Sequence, residues 1–247
     1  MTNSAHHSWT ALRWLAAGAG LAAGLYATRA GFTWLQYGNP PTPNGAETDQ
    51  LLEEFIPAYE VVERHHVRVA APAEIAIAAA CDMDLAQSAI VRWVFKGREL
   101  ILGAQPDKVR SPRTLLAWAK ELGWAVLAEI PDREIVLGAV TRPWDANPVF
   151  CPLPPSEFAS FHESGYAKIA WTLRADPINA VESVARTETR VATTDETSRK
   201  KFRRYWSLVS PGVELIRWTS LRLVKQEAEG RMRRGQATGY AVRTSDL

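Results

Sequence analysis

Apolar positions recur along this chain with two periods, one helical and one extended. Across Asp195–Glu229 (DETSRKKFRRYWSLVSPGVELIRWTSLRLVKQEAE) the large ones are Phe202, Trp206, Val209, Val213, Ile216 and Leu223. Steps of three, four and seven place them on one side of an α-helix, which leaves Arg199, Arg203, Arg217 and Lys225 on the other. Thr193, Thr194 and Asp195 offer capping oxygens before the first turn, and Pro211 predicts a bend. So heavy an apolar face requires a broad concave partner.

Alternating segments upstream can supply that partner. In Tyr59–Ala70 (YEVVERHHVRVA), Val61, His65, Val67 and Val69 share one face of a strand, while Arg64, His66 and Arg68 share the other. Ala71-Pro72 ends the strand, and AEIAIAAACDMD predicts an alanine-rich helix. Leu85–Phe95 predicts a second short helix, and Ser111-Pro112 opens a third that stops at Gly123. WAVLAEI and EIVLGAVT form a hairpin across Pro131-Asp132-Arg133, and Val149–Leu153 is a further short strand bounded by prolines. Tyr166–Arg174 alternates Ala167, Ile169, Trp171 and Leu173 against Lys168 and Arg174. Glu182–Ala192 sets Arg186, Glu188 and Arg190 against Ala185, Thr187, Thr189 and Val191. The charged trio reads as a solvated face with cross-strand pairs, and the threonines as inner-face hydroxyls able to orient a polar ligand group.

Before these elements lies an apolar run, Leu12–Gly38, in which Arg29 is the one charge between Trp14 and Leu35. As a helix that stretch covers roughly 33 Å, with Trp9 and Trp14 near one end and Trp34 and Tyr37 near the other. It predicts a single-pass membrane anchor whose side is undetermined, since Arg13 and Arg29 flank it almost symmetrically. A leader cleaved after Ala30 and a soluble helix are the alternatives. Ala16, Gly20 and Gly24 share a face on which two such helices could pack as a homo-oligomer. The resulting division is a polar tail 1–11, an anchor 12–37, a Pro/Gly-rich linker 38–57, a domain 58–229 and a basic, polar tail 230–247.

Composition narrows the chemistry. The chain has 247 residues, 47% of them hydrophobic, with ten Trp and a net charge of +2, so it can bury a core and carries no whole-chain signature of nucleic-acid binding. Cys81 and Cys151 give neither a disulfide framework nor metal-ligand spacing, and His65-His66 point to opposite faces of their strand, so no metal or cofactor is implied. No nucleophile elbow or phosphate loop is present. His65, on the apolar face, is the candidate for ligand contact or proton transfer.

The element order, with the strand end VRVAAPAE at Val67–Glu74, resembles the START-like (SRPBCC) helix-grip superfamily over about residues 58–229. The resemblance implies an α+β fold in which a curved antiparallel sheet wraps a long C-terminal helix around a mostly apolar pocket. His65, Val67, Ile169, Trp171, Thr187 and Thr189 then face inward, with Phe202, Trp206 and Val209 opposite. The apolar N-terminus and the longer region Gly97–Leu122 depart from the small members. The function implied is a membrane-anchored binding protein for a hydrophobic small molecule (lipid, quinone or polyketide-like). The alternatives are a cyclase, dehydratase or hydrolase working in the same cavity, and a tethered scaffold without ligand.

Overall fold

The computed structural model describes residues 3–45, 47–84 and 114–245, except for the side chains of 3–12, 15, 16, 19 and 236–245. The expected helix at Leu85–Phe95 and the Ser111-Pro112 start lie outside the described residues. Twelve elements follow in order: α1 Asn3–Gln36, α2 Gln50–Phe55, β1 Val61–Val69, α3 Ala73–Asp82, α4 Leu115–Glu121, β2 Ala125–Ile130, β3 Glu134–Thr141, β4 Phe150–Cys151, α5 Pro155–Ser160, β5 Ala167–Asn179, β6 Glu182–Thr193 and α6 Glu196–Ser245. The sheet runs β1-β6-β5-β3-β2, with β4 paired to β3, and every pairing is antiparallel. An antiparallel open sheet with a long C-terminal helix across it is the arrangement expected of a helix-grip fold.

The inner face of the sheet carries Ile135, Leu137, Trp171, Leu173, Ala175 and Ala185, packed on α3 and on Leu221, Val224 and Ala228 of α6. At the other end of the same face, Val61, Ala167 and Val191 bury Phe202 and Trp206, and Tyr37 joins them from beyond α1. The outer face is covered as well. Leu52, Phe55 and Ile56, around α2, and Phe158 of α5 bury Val136, Val140 and Ala170. The molecule is therefore three layers deep, with α2 and α5 as a thin outer lining.

Several expectations are corrected. Arg190 is wholly buried and Glu188 nearly so, because that lining removes the face of β6 from solvent; the charged trio is not a solvated row. α6 continues to Ser245, so the segment after Gly230 is helix and not a frayed tail. β5 extends to Asn179 with a bulge at Pro177, five residues past the expected end. The prolines at 154 and 155 start α5, where proline at the first helical position is favoured, instead of marking an exit.

The N-terminal helix forms, but among the described residues no helix is long and apolar enough to cross a membrane. Its second half docks along α6. Arg29 pairs with Glu214 through two hydrogen bonds of 2.9 and 3.0 Å. Ser210 Oγ donates to Thr33 Oγ1 at 3.1 Å, and Tyr26 Oη donates to the Leu208 carbonyl. Arg203 donates to the Trp34 carbonyl at 2.9 Å and lies 4.2 Å above its ring. A Cβ added at Gly20 or Gly24 would meet nothing within 4 Å among the described residues, so that face of α1 is open.

Candidate functional site

The inner-face register brings polar side chains of β1 and β6 together. His65 is paired with Thr187, and Glu63 with Thr189. Alternate residues of a strand share a face, so these four form a compact polar patch within an otherwise apolar surface. Trp171 of β5 is the next partner of Thr189 and walls one side. Above the patch, α6 contributes Arg217 and Trp218. Arg217 donates to Thr189 Oγ1 at 2.8 Å with its guanidinium 5.4 Å from the Trp171 ring centroid. Trp218 meets the His65 imidazole edge-on at 5.5 Å.

The patch is incompletely satisfied. His65 Nε2 and Thr187 Oγ1 are buried without a hydrogen-bond partner. Glu63 comes within 3.4 Å of His65 Nε2 but lacks hydrogen-bond alignment. Orphaned buried donors and acceptors each cost about 1–3 kcal/mol, so two facing each other across one strand pair point to a guest, water or ligand, that would satisfy them. Burial pulls the Arg217 guanidinium down to about 10, partly opposed by the Glu63 carboxylate. It still carries its charge at neutral pH. It makes one hydrogen bond among the described residues, so further N–H groups are available to an acceptor.

Of the residues expected to face the pocket, His65, Trp171, Thr187 and Thr189 gather here. Ile169, Phe202, Trp206 and Val209 belong instead to the packed cluster near Tyr37, and Val67 packs against the alanine-rich core beside α3. Glu63, Arg217 and Trp218 are additional. Glu63 was accessible to the same alternation that picked out His65, two residues along. An apolar stripe drawn through Ile216 and Leu223 puts Arg217 on the solvent side. The buried seam actually advances through Phe202, Trp206, Leu221, Val224 and Ala228, and Arg217 lies within it, four residues before Leu221.

A second polar group occupies the outer face. A hollow of about 20 Å³, room for about one water, is lined by Asp49, Arg64, His66, Arg174, Arg186 and Glu188, and His65 and Thr187 also border it. Its arginines are already matched: Arg64 with Glu188 at 2.9 Å, and Arg174 and Arg186 with Asp176 at 2.7 and 2.8 Å. It reads as wiring between the sheet and its lining. Nearby, Glu134 is pushed up to about 8 by burial, with Asp49 adding to the shift.

No known protein family matches the sequence, and neither does any curated protein. Solved structures with detectable similarity include a hypothetical protein from Helicobacter pylori, at 8% identity and TM-score 0.36, covering 76% of this chain and 98% of that one. A START superfamily protein from Mycobacterium smegmatis aligns at 11% identity and TM-score 0.25, covering 70% and 97%. The Zhui aromatase/cyclase from Streptomyces sp. R1128 aligns at 15% identity and TM-score 0.23, covering 70% and 95%.

Proposed function

We propose that this chain binds a small amphipathic molecule between the inner sheet face and the middle of α6, with an anionic or hydrogen-bond-accepting end at Arg217, His65 and Thr187. The observation that carries the reading is the pair of unsatisfied buried atoms, His65 Nε2 and Thr187 Oγ1, beside a guanidinium with donors to spare. Trp171 and Trp218 supply the flat apolar walls such a ligand needs beyond its polar end. The lipid, quinone and polyketide-like classes suggested by the superfamily resemblance all fit this description in outline. Among them the charge of Arg217 favours those ending in a carboxylate or enolate.

Decanoate and decanol are suitable probes, since they share an apolar body and differ in the end group. Titration followed by tryptophan fluorescence should show decanoate binding at least tenfold more tightly, and Arg217→Gln should abolish the preference. Equal affinity for the two in the parent protein, or binding of neither, would remove the reading.

A further inference from the structure

α1 and α6 leave an apolar ridge that no described part of the chain covers. On α1, Trp14, Leu21, Leu25, Phe32 and Leu35 are exposed by 75%, 67%, 65%, 50% and 74%. Steps of seven, four, seven and three align them on one side of the helix, away from Thr33, which is buried against α6. The row is about 32 Å long. Leu208 and Leu215 of α6 are also about half exposed, and the Tyr26–Leu208 contact joins the two helices there. A folded monomer rarely leaves so extended an apolar surface without an occupant.

We propose that this ridge rests on the surface of an anionic bilayer, with α1 lying in the plane of the interface and its leucines and aromatics inserted below the headgroups. Charge selects this occupant. α1 contains no Asp or Glu, and Arg13 is exposed at its free end. On α6, Lys201, Arg204 and Arg222 fall in the same helical stripe as Leu208 and Leu215; all three are exposed, and none makes an ion pair with a carboxylate among the described residues. A second copy presenting the same ridge would bring these cations against one another, whereas a lipid surface rich in phosphatidylserine attracts each of them. Trp14 and Phe32 suit the headgroup level, where a flat apolar ring can be buried beside polar groups.

The hydrogen bonds along α6 set the orientation. Arg29 to Glu214, Ser210 to Thr33 and Arg203 to the Trp34 carbonyl hold the second half of α1 against the domain. Standing upright across a bilayer would break them, while lying flat preserves all three. This proposal stands apart from the ligand-binding reading, and either can fail alone.

Flotation of the full chain with vesicles tests it. The protein should float with phosphatidylcholine–phosphatidylserine vesicles, float at least tenfold less with phosphatidylcholine alone, and be stripped by alkaline carbonate. Leu21→Glu with Leu25→Glu should lower partitioning at least tenfold, and Arg204→Glu with Arg222→Glu about tenfold. All four positions are exposed, so far-ultraviolet circular dichroism must match the parent protein for the comparison to be made. Failure to float with anionic vesicles would overturn the proposal. Resistance to carbonate would overturn it in favour of a spanning helix. Association in solution that Leu25→Glu abolishes, without vesicle binding, would assign the ridge to a second copy.

Discussion

Arg190 has no exposed surface, yet its guanidinium is tied to three residues. Nε donates to Glu188 at 2.7 Å, Nη1 reaches Glu53 at 2.9 Å and the Ile56 carbonyl at 3.0 Å, and the group lies 4.7 Å from the Tyr59 ring. Charges buried this deeply are tolerated only when matched, and removing one partner strands the others. Arg190→Met should therefore lower stability by about 3 kcal/mol in urea unfolding, since Glu188 retains Arg64. Glu134 presents the opposite case. Its carboxyl is pushed up to about 8, mainly by burial, so the folded protein holds a proton that the unfolded chain releases above roughly pH 4. Stability from this group is greatest below that lower value and is lost as the pH rises through 8. Glu134→Gln should raise Tm at pH 8 and leave it nearly unchanged at pH 4, which a Tm series across that range would read directly.

At the level of elements, period-two alternation assigned the faces of β1, β5 and β6 correctly, because the pleat fixes them whatever covers the sheet. It could not say that the face bearing Arg186, Glu188 and Arg190 would be covered. The lining comes from α2 and α5, six residues each, too short to show a helical period. The seam of α6 was legible as a helix but ambiguous at Arg217, where Ile216 offered a more hydrophobic neighbour one position away. His65, Thr187 and Thr189 were recognisable as inward polar residues; that His65 and Thr187 would lack partners depends on the rotamers of opposing chains. Loop constraints are local and testable. Gly123 turns the chain after α4 at φ +99°, and a Cβ there would strike the Phe150 carbonyl. Gly123→Ala should lower stability by more than about 1 kcal/mol, measured in the same urea titration. At the start of α6, Asp195 accepts from the Ser198 backbone and hydroxyl and from the Gly165 amide, which holds its carboxyl well below the usual range. That contribution is present above the ordinary aspartate pKa and is lost on acidification. Asp195→Asn should therefore flatten the acid limb of the stability curve.

For the whole molecule, three layers and an open edge at β1 and β2 imply a graded pattern of protection. Hydrogen exchange should be slowest in β3, β5 and β6, which have neighbours on both sides and cover on both faces. Along α6 it should quicken beyond Met232, past the packing against the alanine-rich core. A uniform profile along α6 would show that its last turns are held by something other than the inner core.

The thin outer lining also bears on where this chain can be cut. A fragment begun at the first strand would keep the sheet and the gripped helix but discard Glu53 and the carbonyl of Ile56, leaving the Arg190 guanidinium with Glu188 alone above a hydrophobic floor stripped of Leu52, Phe55 and Ile56. The shortest piece able to stand by itself should thus start upstream of Asp49. A boundary drawn at the onset of regular strand pairing would yield inclusion bodies, for want of one small lid.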